Sequence, residues 1–336
     1  MSDGTLSSPD DLVVVAGAGG FIGGHLVAEL ERRGHRRIRA VDIKPFDEWF
    51  QRLPGADNRQ LDLRRHGACQ EACVGAREVY NLACDMGGMG FIETHKAECM
   101  LSVLISTHML EAARDADVER YFYSSSACVY AAEKQTTADG AALKEDDAYP
   151  AMPEDGYGWE KLFSERLCRH FTEDFGLETR VARYHNVYGP HGTYDGGREK
   201  APAAICRKVI AAKRAGRHDI EVWGDGKQSR SFTYIDDCLF GTRALMASDV
   251  REPLNLGSAE MVTINQLIDL VEDIAGVNLT RRYNLDAPKG VRGRSSDNTR
   301  IRQKLEWAPS ISLRDGMEHT YRWIHDQMHQ SSAGRD

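Results

Sequence analysis

Long apolar runs are missing from this chain of 336 residues. No stretch approaches the roughly 18–20 consecutive apolar residues that a helix needs to cross a bilayer. Excess basic charge is missing too. With 43 Lys and Arg against 51 Asp and Glu, the formal net charge is -8, so neither nucleic acid nor an anionic membrane is expected as a partner. The polar start from Met1 to Asp11 has no basic n-region and no apolar h-region, so no secretory signal is expected. Residues 1–10 and 329–336 read as frayed tails. Metal-binding spacing is also absent. Cys69, Cys73, Cys84, Cys99, Cys128, Cys168, Cys206 and Cys238 contain no Cys-x-x-Cys pair and join no His cluster, so no metal is expected. Scattered cysteines without a secretion signal predict reduced thiols in the cytoplasm, each by default a small buried apolar residue. There is no internal repeat and no low-complexity tract.

What is present is a rhythm of strand and helix. Leu12 to Ala16 is a continuous apolar run that suits a strand buried on both faces. Gly17 to Gly20 follows, then Phe21 to Arg33 with apolar residues at helical spacing and Gly34 as a stop. Arg37 to Val41 reads as a strand ending at Asp42, and Glu78 to Leu82 as another. Cys99 to Ala116 reads as a helix. Glu119 to Tyr123 reads as a strand running into Ser124-Ser125-Ser126. Tyr157 to Phe175 is helical, and Leu177 to Arg183 is a strand. This alternation predicts an α/β fold with a doubly wound, parallel, Rossmann-type sheet. Beyond Asn186 the rhythm changes, which predicts a smaller C-terminal substrate-binding α/β domain. The expected boundaries are 11–186 for the nucleotide domain, with a return around 232–257, and 187–330 for most of the second.

Gly17, Gly20 and Gly23 lie three apart between a strand and a helix. Glycine suits a tight turn, close approach of backbone to a pyrophosphate, and close helix–strand packing. The helix opening at Phe21 and Ile22 then turns its free N–H groups to the phosphates. Asp42 ends the second strand about twenty-five residues after Gly17, where a carboxylate accepts from ribose hydroxyls and repels a 2′-phosphate. NAD is therefore favoured over NADP, although Lys44 nearby weakens that preference. Asp62 can reach the adenine from a third strand or serve as an ordinary turn acid. Tyr157 and Lys161 are four apart on one predicted helix face. A phenol titrates near about 10, and a neighbouring ammonium favours the phenolate. Such a pair can take a proton from a sugar hydroxyl as hydride leaves for NAD. Lys161 can also hold the nicotinamide ribose, and Ser124, Ser125 and Ser126 each offer a hydroxyl for the same substrate oxygen.

With the turn from Ala16 to Gly23, Ser125-Ser126 and Tyr157-x-x-x-Lys161 together, the chain from Leu12 to about Ile324 resembles the extended short-chain dehydrogenase/reductase family. More specific strings are Asp85 to Ile92, Ser125 to Tyr130, His185 to Pro190, Gly196 to Ala204, and Gly290 to Asn298. They are similar to those of the GDP-mannose 3,5-epimerases of that family. The resemblance implies an isomerase that oxidises C4, inverts C3 and/or C5 of the keto sugar, and re-reduces C4 with the same cofactor. It implies Cys128 and Lys200 as the acid/base pair, Ser126 beside Tyr157, and a substrate pocket lined by Met86, Gly87, Asn186, Glu199 and Arg292. Arg292 suits a diphosphate because guanidinium forms paired, charge-assisted hydrogen bonds. Lys208 and Arg230 can also help bind the nucleotide. A homodimer is implied, assembled through the segment Cys99 to Ala113 and the helix bearing Tyr157. Cys84 and Ser124 depart from the small apolar residues expected there. No proline follows Tyr130, and the loop from Gln135 to Glu145 differs. The alternatives are a 4-epimerase or dehydratase of another sugar nucleotide, or a non-catalytic nucleotide-binding protein on the same fold.

Overall fold

The computed structural model describes residues 8–140, 142–288 and 290–333. Six strands come first: Val13–Ala16 (β1), Ile38–Asp42 (β2), Asp57–Gln60 (β3), Glu78–Asn81 (β4), Arg120–Ser126 (β5) and Glu178–Tyr184 (β6). The remaining strands are short: Val187–Tyr188 (β7), Asp219–Trp223 (β8), Ser229–Ser231 (β9), Thr233–Tyr234 (β10), Leu254–Leu256 (β11), Met261–Thr263 (β12), Thr280–Asn284 (β13) and Gly293–Arg294 (β14). The central sheet has the order β11-β6-β5-β4-β1-β2-β3, and every neighbouring pair in it is parallel. All four residues of β1 are buried, as a strand covered by helices on both faces requires.

The covering helices are Phe21–Arg32 (α1), His66–Cys73 (α2), the short Met89–Thr94 (α3), Lys96–Asp115 (α4) and Tyr157–Phe175 (α5). Ala201–Arg214 (α6), Ile235–Ala247 (α7), Ile264–Ala275 (α8), Thr299–Leu305 (α9) and Leu313–Ala333 (α10) complete the set. Helix α8 shows how locally these elements are specified. Thr263 Oγ1 accepts from Gln266 N at 3.1 Å while Gln266 Oε1 accepts from Thr263 N at 2.8 Å, a reciprocal cap. Leu267, Ile268, Val271 and Ala275 face inward, and Gly276 ends the helix at φ 65°.

The doubly wound parallel sheet agrees with the expectation, with local differences. The serines belong to β5, since pairing with β6 runs on to Ser126 opposite Tyr184. Helix α4 begins at Lys96, three residues before Cys99. The chain returns through α7 to lay β11 beside β6, with Leu254 opposite Ala182. Outside the main sheet, β12-β9-β14 form one sheet and β13-β8 another. Strand order reverses between β1 and β4, so a crevice opens at their carboxyl ends, where ligands of such sheets bind.

Candidate active site

Gly17 leaves β1 with φ +86°, and a Cβ there would sit 2.8 Å from the Leu82 carbonyl carbon beyond β4. A Cβ on Gly23 would lie 2.1 Å from the Gly17 oxygen, so α1 approaches the turn more closely than any side chain allows. Gly20 caps α1, with Phe21 and Ile22 opening the helix. Asp42, at the end of β2, accepts from Gly19 N at 2.9 Å and Lys44 N at 3.0 Å. Burial raises its carboxyl pKa, opposed by those hydrogen bonds and by Lys44. Each oxygen keeps a lone pair for a ribose hydroxyl. Asp62 is instead held by Arg64, whose Nε and Nη2 each lie 2.9 Å from a carboxylate oxygen. That hydrogen bond is the main reason its pKa falls.

Tyr157 starts α5 and is 4% exposed, and Lys161 one turn later is 1% exposed. Lys161 Nζ lies 5.5 Å from the Tyr157 ring centroid and 4.8 Å from that of Tyr123. Its nearest carboxylate, Glu160 Oε2, is 3.7 Å away. The other Glu160 oxygen accepts from Ser106, Tyr123 and Ser164. Burial pushes the ammonium down, but Cys84, Glu160 and Tyr157 together carry it above its ordinary value. The expected lowering of the Tyr157 phenol does not emerge from the protein's own groups. Burial raises it well above its usual range, and Lys161 only partly opposes that. Lys161 Nζ is buried without a hydrogen-bond partner. A buried ammonium with no hydrogen-bond partner and a glycine turn that admits no Cβ fit NAD.

The strand-end serines divide by partner. Ser124 donates to Asn81 O at 3.2 Å, and Ser125 to Glu165 at 2.5 Å. Ser126 is the one partly exposed, and its Oγ accepts from Cys128 N at 3.2 Å. The tight turn Ala127–Val129 then presents Cys128. A Cβ on Gly158 would lie 2.3 Å from the Cys128 oxygen, so glycine after Tyr157 lets this turn rest directly on α5. Cys128 and Tyr157 share a buried cluster with Phe91, Ile92 and Cys99, against which Cys84 and Met86 pack.

Lys200 caps α6. Burial lowers its ammonium pKa, with Cys128 as the first opposing influence. Gly87 and Gly88 admit this segment: a Cβ on the first would lie 3.2 Å from Arg198 Cα, and on the second 2.4 Å from the Glu199 oxygen. Glu199 accepts from Gly197 N and from Arg207. Asn186, at φ 43°, donates to Ser231 O at 3.0 Å.

Other expected pocket residues lie apart from the thiol. Lys208 donates to Glu221 O at 3.0 Å, with Nζ 5.6 Å from the Trp223 ring centroid. Arg292 makes a double contact with Asp225 at 2.9 and 3.0 Å. Arg230 is closer: burial lowers its pKa and Cys128 opposes. The sequence does not single out Arg294. It is 6% exposed, pairs with Glu154, donates to Gln135 at 2.6 Å and reaches Cys128 Sγ at 3.7 Å. Its place in the string Gly290 to Asn298 is the only signal for it.

Residues 13–257 match the model of the NAD dependent epimerase/dehydratase family. The chain is 47% identical over 322 residues to GDP-mannose 3,5-epimerase 1 of Oryza sativa subsp. japonica, covering 96% of this chain and 83% of that one. It is 45% identical to GDP-mannose 3,5-epimerase of Arabidopsis thaliana, covering 96% and 84%. Among solved structures, UDP-glucose 4-epimerase of Thermotoga maritima superposes with a TM-score of 0.82 at 23% identity, covering 94% of this chain and 99% of that chain.

Proposed function

Because the chain belongs to the NAD-dependent epimerase/dehydratase family, we propose that it is an isomerase of GDP-D-mannose, inverting C5 and/or C3 through a transient C4 ketone. The observation that carries this reading is the pairing of two kinds of proton-handling group in one site. Tyr157 and Lys161 lie together on α5, while Cys128 shares the Tyr157 cluster and Lys200 is within electrostatic reach of Cys128.

NAD, when bound, supplies hydride acceptance and return at C4. Tyr157 takes the O4 proton during oxidation and gives it back during reduction, assisted by the Lys161 ammonium. The high proton affinity that burial gives the phenol suits the return step. Ser126 orients O4 from the strand end. A C–H beside an alcohol is hardly acidic, whereas beside a C4 ketone its loss gives an enolate. Inversion then needs a base on one face and an acid on the other. Cys128 and Lys200 fill those roles. Burial lowers the Lys200 pKa and so increases its share of neutral amine. Arg294, already 3.7 Å from the sulfur, adds positive charge beside it. Met86, Gly87, Asn186 and Glu199 line the sugar pocket, and Lys208, Arg230 and Arg292 serve the nucleotide. Inversion at C5 alone gives GDP-L-gulose, and at both centres GDP-L-galactose.

The test is turnover of GDP-α-D-mannose in deuterated water without added NAD, with NMR of the sugar. Deuterium at C5, or at C3 and C5, is expected. Turnover of a UDP or dTDP sugar, with no exchange on GDP-mannose, overturns the substrate assignment. Full product formation by both Cys128→Ala and Lys200→Ala overturns the acid/base pair. The reading extends to a homodimer. Met100, Leu101 and Leu104 on α4 and Trp159 and Phe163 on α5 are exposed, and the two helices pack side by side. Sedimentation at the monomer mass overturns it. Eight free thiols support a reducing, cytoplasmic setting.

A further inference from the structure

The loop after β4 and the loop before α6 are fastened together outside the reacting groups. Arg198 Nη1 lies 2.5 Å from Asp85 Oδ1. The Arg198 guanidinium sits 3.8 Å from the centroid of the Phe91 ring, and His95 stacks on the same ring at 4.3 Å. Gly88 N donates to Arg198 O at 3.0 Å. Gly87 and Gly88 rest directly on the backbone of Arg198 and Glu199. Lys200 is the next residue, and Phe91 belongs to the cluster that holds Cys128 and Tyr157.

We propose that Asp85, Arg198 and Phe91 form a clasp that positions Lys200 against Cys128 for the inversion step. The consequence for turnover rests on the epimerase reading above. Lys200 follows an exposed segment, residues 195–198, with Gly196 and Gly197 at φ 90° and 87°. Without an anchor, two such glycines leave the approach to Lys200 free to shift. The charge pair on a flat aromatic face supplies that anchor, with direction from the salt bridge and area from the ring. A displacement near 1 Å is enough to slow a positioned proton transfer by about a hundredfold. The C4 redox step uses groups on α5 and β5, to which neither Asp85 nor Arg198 bonds.

Two measurements on full-length Arg198→Gln, Asp85→Asn and Arg198→Lys test this. The first needs no sugar: labelling of Lys200 by an amine-reactive reagent, followed by peptide mass spectrometry. Faster labelling by at least fivefold in Arg198→Gln and Asp85→Asn, with Arg198→Lys close to the parent, supports the clasp. An unchanged rate overturns it. The second follows GDP-mannose in deuterated water. The clasp predicts that deuterium entry at C3 or C5 falls at least tenfold in the Gln and Asn variants. Formation of reduced, enzyme-bound nicotinamide at saturating sugar stays within twofold, and Arg198→Lys retains most of the exchange. Equal loss of exchange and nicotinamide reduction overturns the positioning role. Should the parent itself exchange nothing on GDP-mannose, the substrate assignment falls, and the labelling result still decides the clasp.

Discussion

Replacing Glu165 by glutamine should destabilise the protein by about 3–5 kcal/mol, since it leaves a buried charge without its partner. Arg183 and Glu165 have side chains only 3% and 2% exposed and are joined at 2.7 Å. The second contact, Arg183 Nε to Glu165 Oε1, is 2.9 Å. Ser125 Oγ donates to the same oxygen at 2.5 Å. Glutamine keeps the volume and one acceptor but removes the charge. The guanidinium would then keep the amide oxygen, the Glu145 carbonyl at 2.7 Å and the Tyr130 hydroxyl at 3.2 Å, with no carboxylate bonded to it. At about 2 °C per kcal/mol for a chain of this size, the thermal midpoint should fall by about 6–10 °C. Calorimetry or circular dichroism measures it. The apolar double replacement Glu165→Leu with Arg183→Met should recover most of the loss, because it removes both charges. A residue of about 1 kcal/mol should remain for the Ser125 hydroxyl left without its acceptor. A Glu165→Gln loss below about 1 kcal/mol would refute the account, as would a double variant no better than the single one.

Gly23→Ala should lower NAD affinity by about a hundredfold, because its methyl would meet the Gly17 oxygen at 2.1 Å and Ala18 Cα at 2.9 Å and push α1 off the turn. Calorimetric titration of apoprotein checks this, and a change under threefold contradicts it. His185, fully buried, has its pKa lowered to about 4 by burial. A depressed base binds fewer protons folded than unfolded, so its contribution is complete above about pH 6.5 and is lost as pH falls towards 4. Urea midpoints should show the parent losing about 2 kcal/mol more than His185→Gln between pH 7 and 5; parallel curves would contradict this. Arg294→Met should reduce epimerisation at least a hundredfold while NAD remains bound, since it strips the charge beside Cys128 and strands Glu154. Product NMR and nucleotide released on denaturation measure the two separately.

The doubly wound sheet was legible because strands such as Val13–Ala16 are buried on both faces and read as unbroken apolar runs. Strand β3 carries Asp57-Asn58-Arg59-Gln60 at the sheet edge, half in solvent, and no periodicity marks it. Tyr157 and Lys161 were legible from helical spacing. The direction of the phenol's pKa was not, because it depends on how closely Cys84 and the Cys128 turn pack around the ring. Arg292 and Arg294 are identical residue types in one string. Which one reaches the thiol depends on the pairing of β14 with β9, Gly293 opposite Ser229. A Cβ on Gly293 would lie 2.2 Å from the Thr137 oxygen, so a loop far away in sequence also fixes that register. The Asp85–Arg198 clasp spans 113 positions, a distance at which neither residue carries a local pattern.

Strand β11 has a meaning for the order in which the molecule can be made. It closes the sheet against β6, yet some seventy residues separate Tyr184 from Leu254. Until those residues have left the ribosome, β6 offers an open row of N–H and C=O groups, the kind of edge that recruits other chains. The excursion from β7 to β10 is therefore synthesised before the central sheet is sealed. A fragment ending near Asn186 would keep the glycine turn, Cys128 and the Tyr157–Lys161 pair and still carry that open edge. The central sheet and the stretch from β7 to β10 are therefore inherited together, and no single break after β6 yields a closed sheet without that stretch.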